Sequence, residues 1–291
     1  MNGIPYFPGC SLKDTASGFE DSAFYVMETL GLPLLELDRW NCCGTVYSLT
    51  ADDLMHHVAS VRNFVRVREM GADEVVALCA MCYNTLARVA RRIDDDAEAR
   101  DKINAFMNQE ADYEGGVSVV HLLDVLRVRI GDDAIAEATT RPLEGLIVAP
   151  YYGCTLVRPK EVSVDDSERP TVMADLFEAT GATAVAFPFA TECCGTYQVV
   201  DRPELSLERS YRVLRSAVDA GANVVATACP LCQHNLEQAQ REFGGAEERI
   251  GRLTIAYFTE ILAAALGAGP ERLPEDLRSL LETHVTIEGG A

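Results

Sequence analysis

The chain has 291 residues, 48% of them hydrophobic, and a mean hydropathy of +0.02, which is material for two globular domains with cores of their own. Its 25 basic residues against 45 acidic ones leave a formal charge of −20, which argues against a nucleic-acid or anionic-membrane partner, because phosphate binding needs a basic patch. No apolar run approaches the roughly 18–20 residues needed to span a bilayer, so no membrane span is expected.

The start, Met1-Asn2-Gly3-Ile4-Pro5, lacks the basic and apolar regions of a signal peptide, so a cytoplasmic location is expected. Structural disulfides are rare in that reducing compartment, and ten cysteines there read as ligands. Lysine occurs only at Lys13, Lys102 and Lys160; this scarcity fits salt adaptation and a GC-rich genome equally, and no function rests on it.

Ile4 to Phe7 is a short apolar run closed by Pro and Gly, as in a strand. Phe19 to Leu30 has helical periodicity. Leu34 to Leu37 is strand-like and leads into Cys42 and Cys43. A helix from Ala51 to Met70 is opened by Thr50-Ala51-Asp52-Asp53, an N-cap followed by acid. Glu74 to Leu78 reads as a buried parallel strand ending at Cys79, and Met81 to Ile93 as a helix. The polar stretch from Asp132 to Pro142 interrupts the pattern, which then begins again. Leu146 to Tyr151 is a strand, Thr171 to Ala179 a helix, and Ala184 to Phe187 a strand leading into Cys193 and Cys194. A helix from Pro203 to Ala220, a strand from Val224 to Thr227 and a helix from Leu231 to Phe243 follow. The tail, Glu271 to Ala291, reads as one amphipathic helix with a frayed end, suited to a partner contact. Alternating strands and helices predict an α/β fold with parallel sheets in two tandem domains, 1–140 and 141–291.

The cysteines repeat with the elements. Cys10, Cys42, Cys43, Cys79 and Cys82 form one set; Cys154, Cys193, Cys194, Cys229 and Cys232 form the other, and together they are the whole complement. Their surroundings match: Gly9-Cys10-Ser11-Leu12 with Gly153-Cys154-Thr155-Leu156, and Cys42-Cys43-Gly44-Thr45 with Cys193-Cys194-Gly195-Thr196. The second set lies 144 residues on at the first cysteine, but 151 and 150 on at the pair and the CxxC, so one insertion separates the copies. Arg158 to Arg169, bounded by Pro159 and Pro170, is its expected place. A repeat this long is a duplicated domain, which implies a pseudo-two-fold axis. In each half four cysteines lie at or just beyond a strand's carboxyl end, where open α/β sheets bind ligands, and the fifth opens a helix whose N-terminus stabilises thiolates. Soft thiolates select iron–sulfur clusters, zinc or copper(I). Five per half exceeds tetrahedral zinc's four, and adjacent cysteines suit two irons of an extended cluster better than one small ion.

Cys, 31 or 38 residues, Cys-Cys-Gly, 35 or 34 residues, Cys-x-x-Cys: this pattern resembles the cysteine-rich CCG domain. Two complete copies resemble the B subunit of heterodisulfide reductase, a likeness running from about Tyr6 to Leu266 and meeting all ten positions. The resemblance implies a non-cubane 4Fe–4S cluster on each set of five cysteines. It implies disulfide reduction in a cleft between the clusters, one electron from each. It also implies two partners in a multisubunit complex, a flavoprotein and a ferredoxin-like protein with two cubane clusters. CCG domains also occur in lactate or glycolate oxidation systems, and a non-catalytic electron-transfer subunit is the third reading. No P-loop, GxGxxG or Ser/His/Asp set competes.

Other residues rank below the cysteines. Lys13 and Arg158 read as solvated charges, with contact to an anionic substrate as the alternative. His234 reads as a capping or surface residue, with proton relay as the alternative. His121 reads as a core histidine, His56 and His57 as ordinary helix positions, and Asp94-Asp95-Asp96 as a solvated helix end. Tyr47 and Tyr197 follow the Cys-Cys-Gly at matching sites and either line the cleft or pack.

Overall fold

Short runs of Ile, Val, Tyr and Phe buried on both faces belong in a covered parallel sheet. The structure, a computed structural model, describes residues 3–45 and 54–284, and it assembles those runs into two such sheets. In the first half β1 (Ile4–Phe7), β2 (Leu34–Glu36), β3 (Glu74–Ala77) and β4 (Ser118–His121) lie in the order β2-β1-β3-β4. In the second half β5 (Ile147–Tyr151), β6 (Thr183–Ala184), β7 (Val224–Thr227) and β8 (Thr254–Tyr257) repeat that order as β6-β5-β7-β8. All pairs are parallel, with Tyr6 opposite Val76 in one central ladder and Val148 opposite Val224 in the other. The expected duplicated α/β architecture is met. β2, β3 and β5 each fall one residue short of the expected bounds, and β6 is cut to two residues. The ladder of β6 ends as Val185 N–H donates to Val148 O (2.8 Å), and Pro188 has no N–H with which to carry it on past Phe187.

The first half's helices are α1 (Ser17–Thr29), α2 (Val58–Glu69), α3 (Ala80–Asp95), α4 (Ala97–Phe106), α5 (Leu122–Val125) and α6 (Asp132–Ala138). The second half's are α7 (Val172–Ala179), α8 (Gln198–Asp201), α9 (Pro203–Asp219), α10 (Pro230–Phe243), α11 (Glu248–Gly251), α12 (Phe258–Ala265) and α13 (Glu275–His284). Right-handed crossovers put α1 on one face of its sheet and α2 and α3 on the other. The expected N-cap at Thr50 to Asp53 lies outside the described residues, as does the tail beyond His284. The Asp94–Asp96 run is more than a solvated end: Asp96 caps α4 by accepting from Ala99 N–H (2.9 Å), and Asp94 accepts from Gly116 N–H (2.9 Å).

The halves join reciprocally, as a two-fold requires. Helix α1 packs on α12, and α7 packs on α5 and α6. At the first contact Phe19 stacks on Tyr257 with ring centroids 4.2 Å apart, and the Ser22 and Thr259 hydroxyls lie 2.6 Å apart. The insertion expected in the second half is a strap over the first. Asn84 of α3 donates to Thr155 O and Arg158 O (both 2.7 Å), Arg91 to Glu161 O (3.3 Å), and Arg127 to Val164 O (2.8 Å).

The seam holds a buried acid. Glu260, 3% exposed, accepts from Tyr257 N–H (2.8 Å) at the start of α12. Burial pushes its pKa up to about 7, against the lowering effect of that N–H. The folded state therefore holds this proton where the unfolded chain releases it, so stability falls as pH rises from about 4.5 to 7. Full expression of that shift amounts to about 3 kcal/mol. Glu260→Gln should be more stable than the parent at pH 8 by a margin of that order that vanishes at pH 4.5. Urea unfolding at the two pH values measures it; a pH-independent difference would contradict the assignment.

Candidate metal centre

Each cysteine sits where the backbone bends. Gly9 and Gly153 have φ of +74° and +63°, which glycine adopts without strain, and they turn the chain out of β1 and β5 into Cys10 and Cys154. A Cβ at Gly9 would lie 3.1 Å from Cys82 Sγ, and one at Gly153 3.4 Å from Cys232 Sγ, so these turns press against the CxxC sulfurs. Cys79 and Cys229 have extended backbone and occupy the N-caps of α3 and α10; Cys82 and Cys232 lie in the first turns. Helix N-termini carry unpaired N–H groups and positive potential, which favour thiolates. The Cys-Cys bends are tied down from below. Ser60 Oγ donates to Cys43 O (3.0 Å) and Ser210 Oγ to Cys194 O (2.8 Å).

The sulfurs touch in a row. Cys43 and Cys82 Sγ lie 3.3 Å apart, and Cys194 and Cys232 Sγ 3.4 Å apart. Electrostatic coupling links Cys42 to Cys43, Cys79 to Cys82, Cys229 to Cys232, and Cys193 to both Cys154 and Cys194. Cys79 and Cys229 also contact each other across the seam, beside the bond from Ala80 N–H to Ala228 O (2.9 Å). Nine thiols thus run unbroken from Cys42 to Cys154. Cys10 stays exposed on the rim, its sulfur 3.9 Å from Ser11 Oγ and close enough to Cys42 to raise its pKa by charge. Among the described residues no three His, Cys, Asp or Glu side chains are grouped as around a single metal ion.

Contact between thiols drives their pKa values apart. Hydrogen bonding with Cys42 and Cys82 lowers Cys43 to about 4, and hydrogen bonding with Cys154 and Cys194 lowers Cys193 to about 2. Cys79 is lowered by Cys229 and Cys82. Their partners move up: Cys42, Cys82, Cys154, Cys229 and Cys232 rise, with burial adding to each, and Cys194 reaches about 12. Gly195 N–H donates to Cys193 Sγ (3.4 Å) and adds to its fall, whereas Gly44 N–H donates to Cys42 Sγ (3.5 Å) and works against its rise. The halves differ in a further respect. Asn235 Nδ2 donates to Cys194 Sγ (3.4 Å) and Thr196 O (3.0 Å), whereas Thr85 at the matching site bonds Thr45 Oγ1 (3.0 Å).

His121 is a core histidine, as expected. Its Nε2–H donates to Leu78 O (2.7 Å), next to Cys79, and its Nδ1 accepts from Leu123 N–H (3.2 Å). Burial drives its pKa down to about 3, so it holds the loop as a neutral ring. Lys13 is paired with Glu20 (2.9 Å) and Glu36 (2.6 Å), not merely solvated. His234 is exposed. His56 and His57 lie in a 3-10 turn (Leu54–His57) before α2, with His57 buried. Tyr47 lies outside the described residues.

Beside Cys154 and Cys193 opens a cleft of about 580 Å³, lined also by Tyr197, Arg158 and Arg209 and by Asn84 and Arg88 of the first half. Tyr197 therefore lines the cleft, and Arg158 lies on its rim, donating to Thr191 O (2.8 Å) and Ser167 O (3.1 Å). Asn84, Arg88 and Arg209 are not legible from cysteine spacing. The one local signal is that residues 84 and 88 share a helix face one turn apart.

The profile of the family described as "CCG: Cysteine-rich domain" matches residues 4–87 and 148–237. The 8-methylmenaquinol:fumarate reductase membrane anchor subunit of Wolinella succinogenes is 29% identical over 270 residues, 92% of this chain and 93% of that protein. The B subunit of the ferredoxin/F(420)H(2)-dependent CoB-CoM heterodisulfide reductase of Methanosarcina acetivorans is 27% identical over 281 residues, 94% of this chain and 92% of that one. The resemblance read from the ten cysteines is thus met by relatives along nearly the whole chain. A crystal structure of a hypothetical protein from Helicobacter pylori shares the fold, with a TM-score of 0.72 at 14% identity; it covers 98% of this chain, which spans 52% of that longer one. Among the described residues no helix is long and apolar enough to cross a membrane.

Gly195 tests how tightly this centre is packed. Its φ is +100°, and a Cβ there would lie 2.6 Å from Ser206 Cα, whereas Gly221 at φ +90° faces open space. Gly195→Ala should cost about 3 kcal/mol from strain plus overpacking, and Gly221→Ala about 1 kcal/mol from strain alone. Denaturant unfolding of both variants checks this; equal costs would contradict the packing described.

Proposed function

The chain belongs to the cysteine-rich CCG domain family, and from that premise we propose that it is the iron–sulfur catalytic subunit of a heterodisulfide-reductase-like complex, reducing a disulfide to two thiols. The observation that carries the reading is the duplicated five-cysteine set, whose sulfurs, Cys10 apart, are linked in a row at the carboxyl ends of two sheets. Relatives named as the B subunits of heterodisulfide reductases support it. The two sets fall in the two proposed domains, 1–140 and 141–291.

The donors suit a polynuclear group. The sulfurs run in a line, Gly9 and Gly153 leave no Cβ between turn and sulfur, and backbone N–H groups face the outer thiolates. We assign one cluster to Cys10, Cys42, Cys43, Cys79 and Cys82 and the other to Cys154, Cys193, Cys194, Cys229 and Cys232. Bound there, two non-cubane 4Fe–4S clusters would supply one electron each, which matches the two electrons and two protons that turn one disulfide into two thiols. The chain's own residues position and tune. Helix N-termini and the glycine N–H groups favour negative charge, and the Asn235 amide on Cys194 favours it more in the second half than in the first. His121 fixes the Cys79 loop without carrying charge. Electrons would come from a flavoprotein partner and a ferredoxin-like partner in the cytoplasm.

The Wolinella relative's name favours one second reading, an electron-transfer subunit of a respiratory complex without disulfide chemistry. The two readings separate under one assay. Anaerobically purified protein should reduce small disulfides with reduced viologen, and a thiol titration should give an EPR signal from the oxidised clusters. Cys43→Ala and Cys194→Ala should each abolish turnover and alter one cluster, while the other half keeps its iron. Wild-type turnover in either variant would contradict the ligand assignment. Reversible redox titration without any disulfide turnover would favour the electron-transfer reading.

A further inference from the structure

We infer that Asn235 and Thr196 hold the second cluster at a higher reduction potential than the first, so that the first of the two electrons settles in the second half. This deepens the reading above and rests on it for the clusters themselves. Both residues act through cysteine sulfurs and are positioning residues, not catalytic ones.

Hydrogen bonds to ligating sulfur, and nearby positive charge, favour the electron-rich state of an iron–sulfur cluster and raise its potential. The backbone supplies such donors to both sets, through Gly44 and Thr45 N–H on Cys42 and Cys43 and through Gly195 N–H on Cys193. Side chains supply them unequally. Asn235, 1% exposed, donates Nδ2–H to Cys194 Sγ (3.4 Å) and to Thr196 O (3.0 Å). A carbonyl oxygen can only accept, so Thr196 O fixes the amide with its nitrogen towards the sulfur. The amide's Oδ1 is buried without a partner among the described residues, a cost that a threonine, as in the first half, would not incur. Thr196 itself has φ of +45°, an outlier for a β-branched residue, and its hydroxyl lies 2.9 Å from Cys193 Sγ. Among the described residues Arg39 is the other non-glycine with positive φ; Thr45, the match of Thr196, does not share the bend. At the match of Asn235, Thr85 gives its hydroxyl proton to Thr45 Oγ1 (3.0 Å). The nearest side-chain hydroxyl given to a sulfur of the first set is long, Ser11 Oγ at 3.9 Å from Cys10 Sγ. A strained bend and a buried amide with an orphaned oxygen, both aimed at sulfur, thus belong to one set.

The surrounding charges lean the same way. Arg88, Arg158 and Arg209 stand beside Cys154 and Cys193. Burial raises the pKa of Tyr197, Cys154 and Cys193 add to the rise, and Arg88 works against it, so guanidinium and sulfurs act on the same point. Near Cys82 the charges are acidic. Tyr6 donates to Glu20 Oε1 (3.1 Å), and Glu20 (2.9 Å) and Glu36 (2.6 Å) share Lys13, two carboxylates to one ammonium. Burial raises the pKa of Tyr6 most, and Glu20, Glu36 and Cys82 add to it, which puts those acids within electrostatic reach of the first set. Water at the exposed Cys10 and Cys42 works the other way, in favour of the first cluster. It is outweighed because donors in contact with buried sulfur are screened least. An electron from a one-electron carrier, which is oxidised in the step, therefore stays on the second cluster, and the next is held less tightly on the first.

The test is a mediated redox titration of anaerobically purified full-length protein, followed by absorbance and EPR. The parent should show two separate one-electron waves. Asn235→Thr, which installs the first half's residue, should lower the upper wave by about 59 mV, a tenfold change in that cluster's hold on its electron, and leave the lower wave in place. Thr196→Val, which removes the hydroxyl alone, should lower the same wave. Arg241→Gln, exposed on α10, should move neither. A single wave holding both clusters of the parent would overturn the inference whether or not the variants fold. So would an unmoved upper wave, or a shift of the lower wave instead, in folded Asn235→Thr. Either result in protein that carries its iron and sulfide would leave the cluster assignment standing, whereas protein without iron and sulfide would sink both.

Discussion

Cys79 and Cys229 are coupled across the seam, each two residues past the end of a central strand and each at the N-cap of the helix that follows. That contact constrains everything around it. Two sheets can bring their carboxyl ends together only if their helices pack reciprocally, and α1 on α12 with α7 on α5 and α6 is the arrangement found. The buried stack of Phe19 on Tyr257 and the neutral His121 beside Leu78 hold the two CxxC loops in place from behind. Burying thiols this close drives neighbours such as Cys43 and Cys82 in opposite directions, towards thiolate and thiol, because one proton can serve two sulfurs. An array of this kind has a use only if something draws on its negative charge.

Some of this is legible in the sequence, for identifiable reasons. Ile4–Phe7 and Val224–Thr227 are found at the bounds read for them, because apolar runs closed by turn residues or cysteines have little freedom at their ends. β4 and β8 are not legible. Ser118 and Thr254 dilute short apolar stretches, and no turn residue separates either strand from the helix that follows it. The row of sulfurs follows from spacing, since strand ends and helix starts are local features. The contact between the two sets does not, because it depends on how the halves dock.

The cleft is hidden for the same reason. Asn84 and Arg88 look like ordinary helix positions until the strap of the other half lies against them. Arg158 reads from sequence as a solvated charge or a substrate contact, and it is instead a rim residue tied to backbone carbonyls. Lys13, its counterpart in the first half, is bound up with Glu20 and Glu36. The duplication is therefore unequal in its surroundings although its cysteines are equal. The insertion and the amide of Asn235 both favour the second set, giving one end of the sulfur row a different electrostatic setting from the other.

The central claim is that this row exists to hold iron and sulfide. Counting iron, zinc and acid-labile sulfide per chain in protein purified without oxygen tests it most directly. Two 4Fe–4S clusters predict about eight irons with a matching amount of sulfide. About two zinc ions per chain and no sulfide would contradict it.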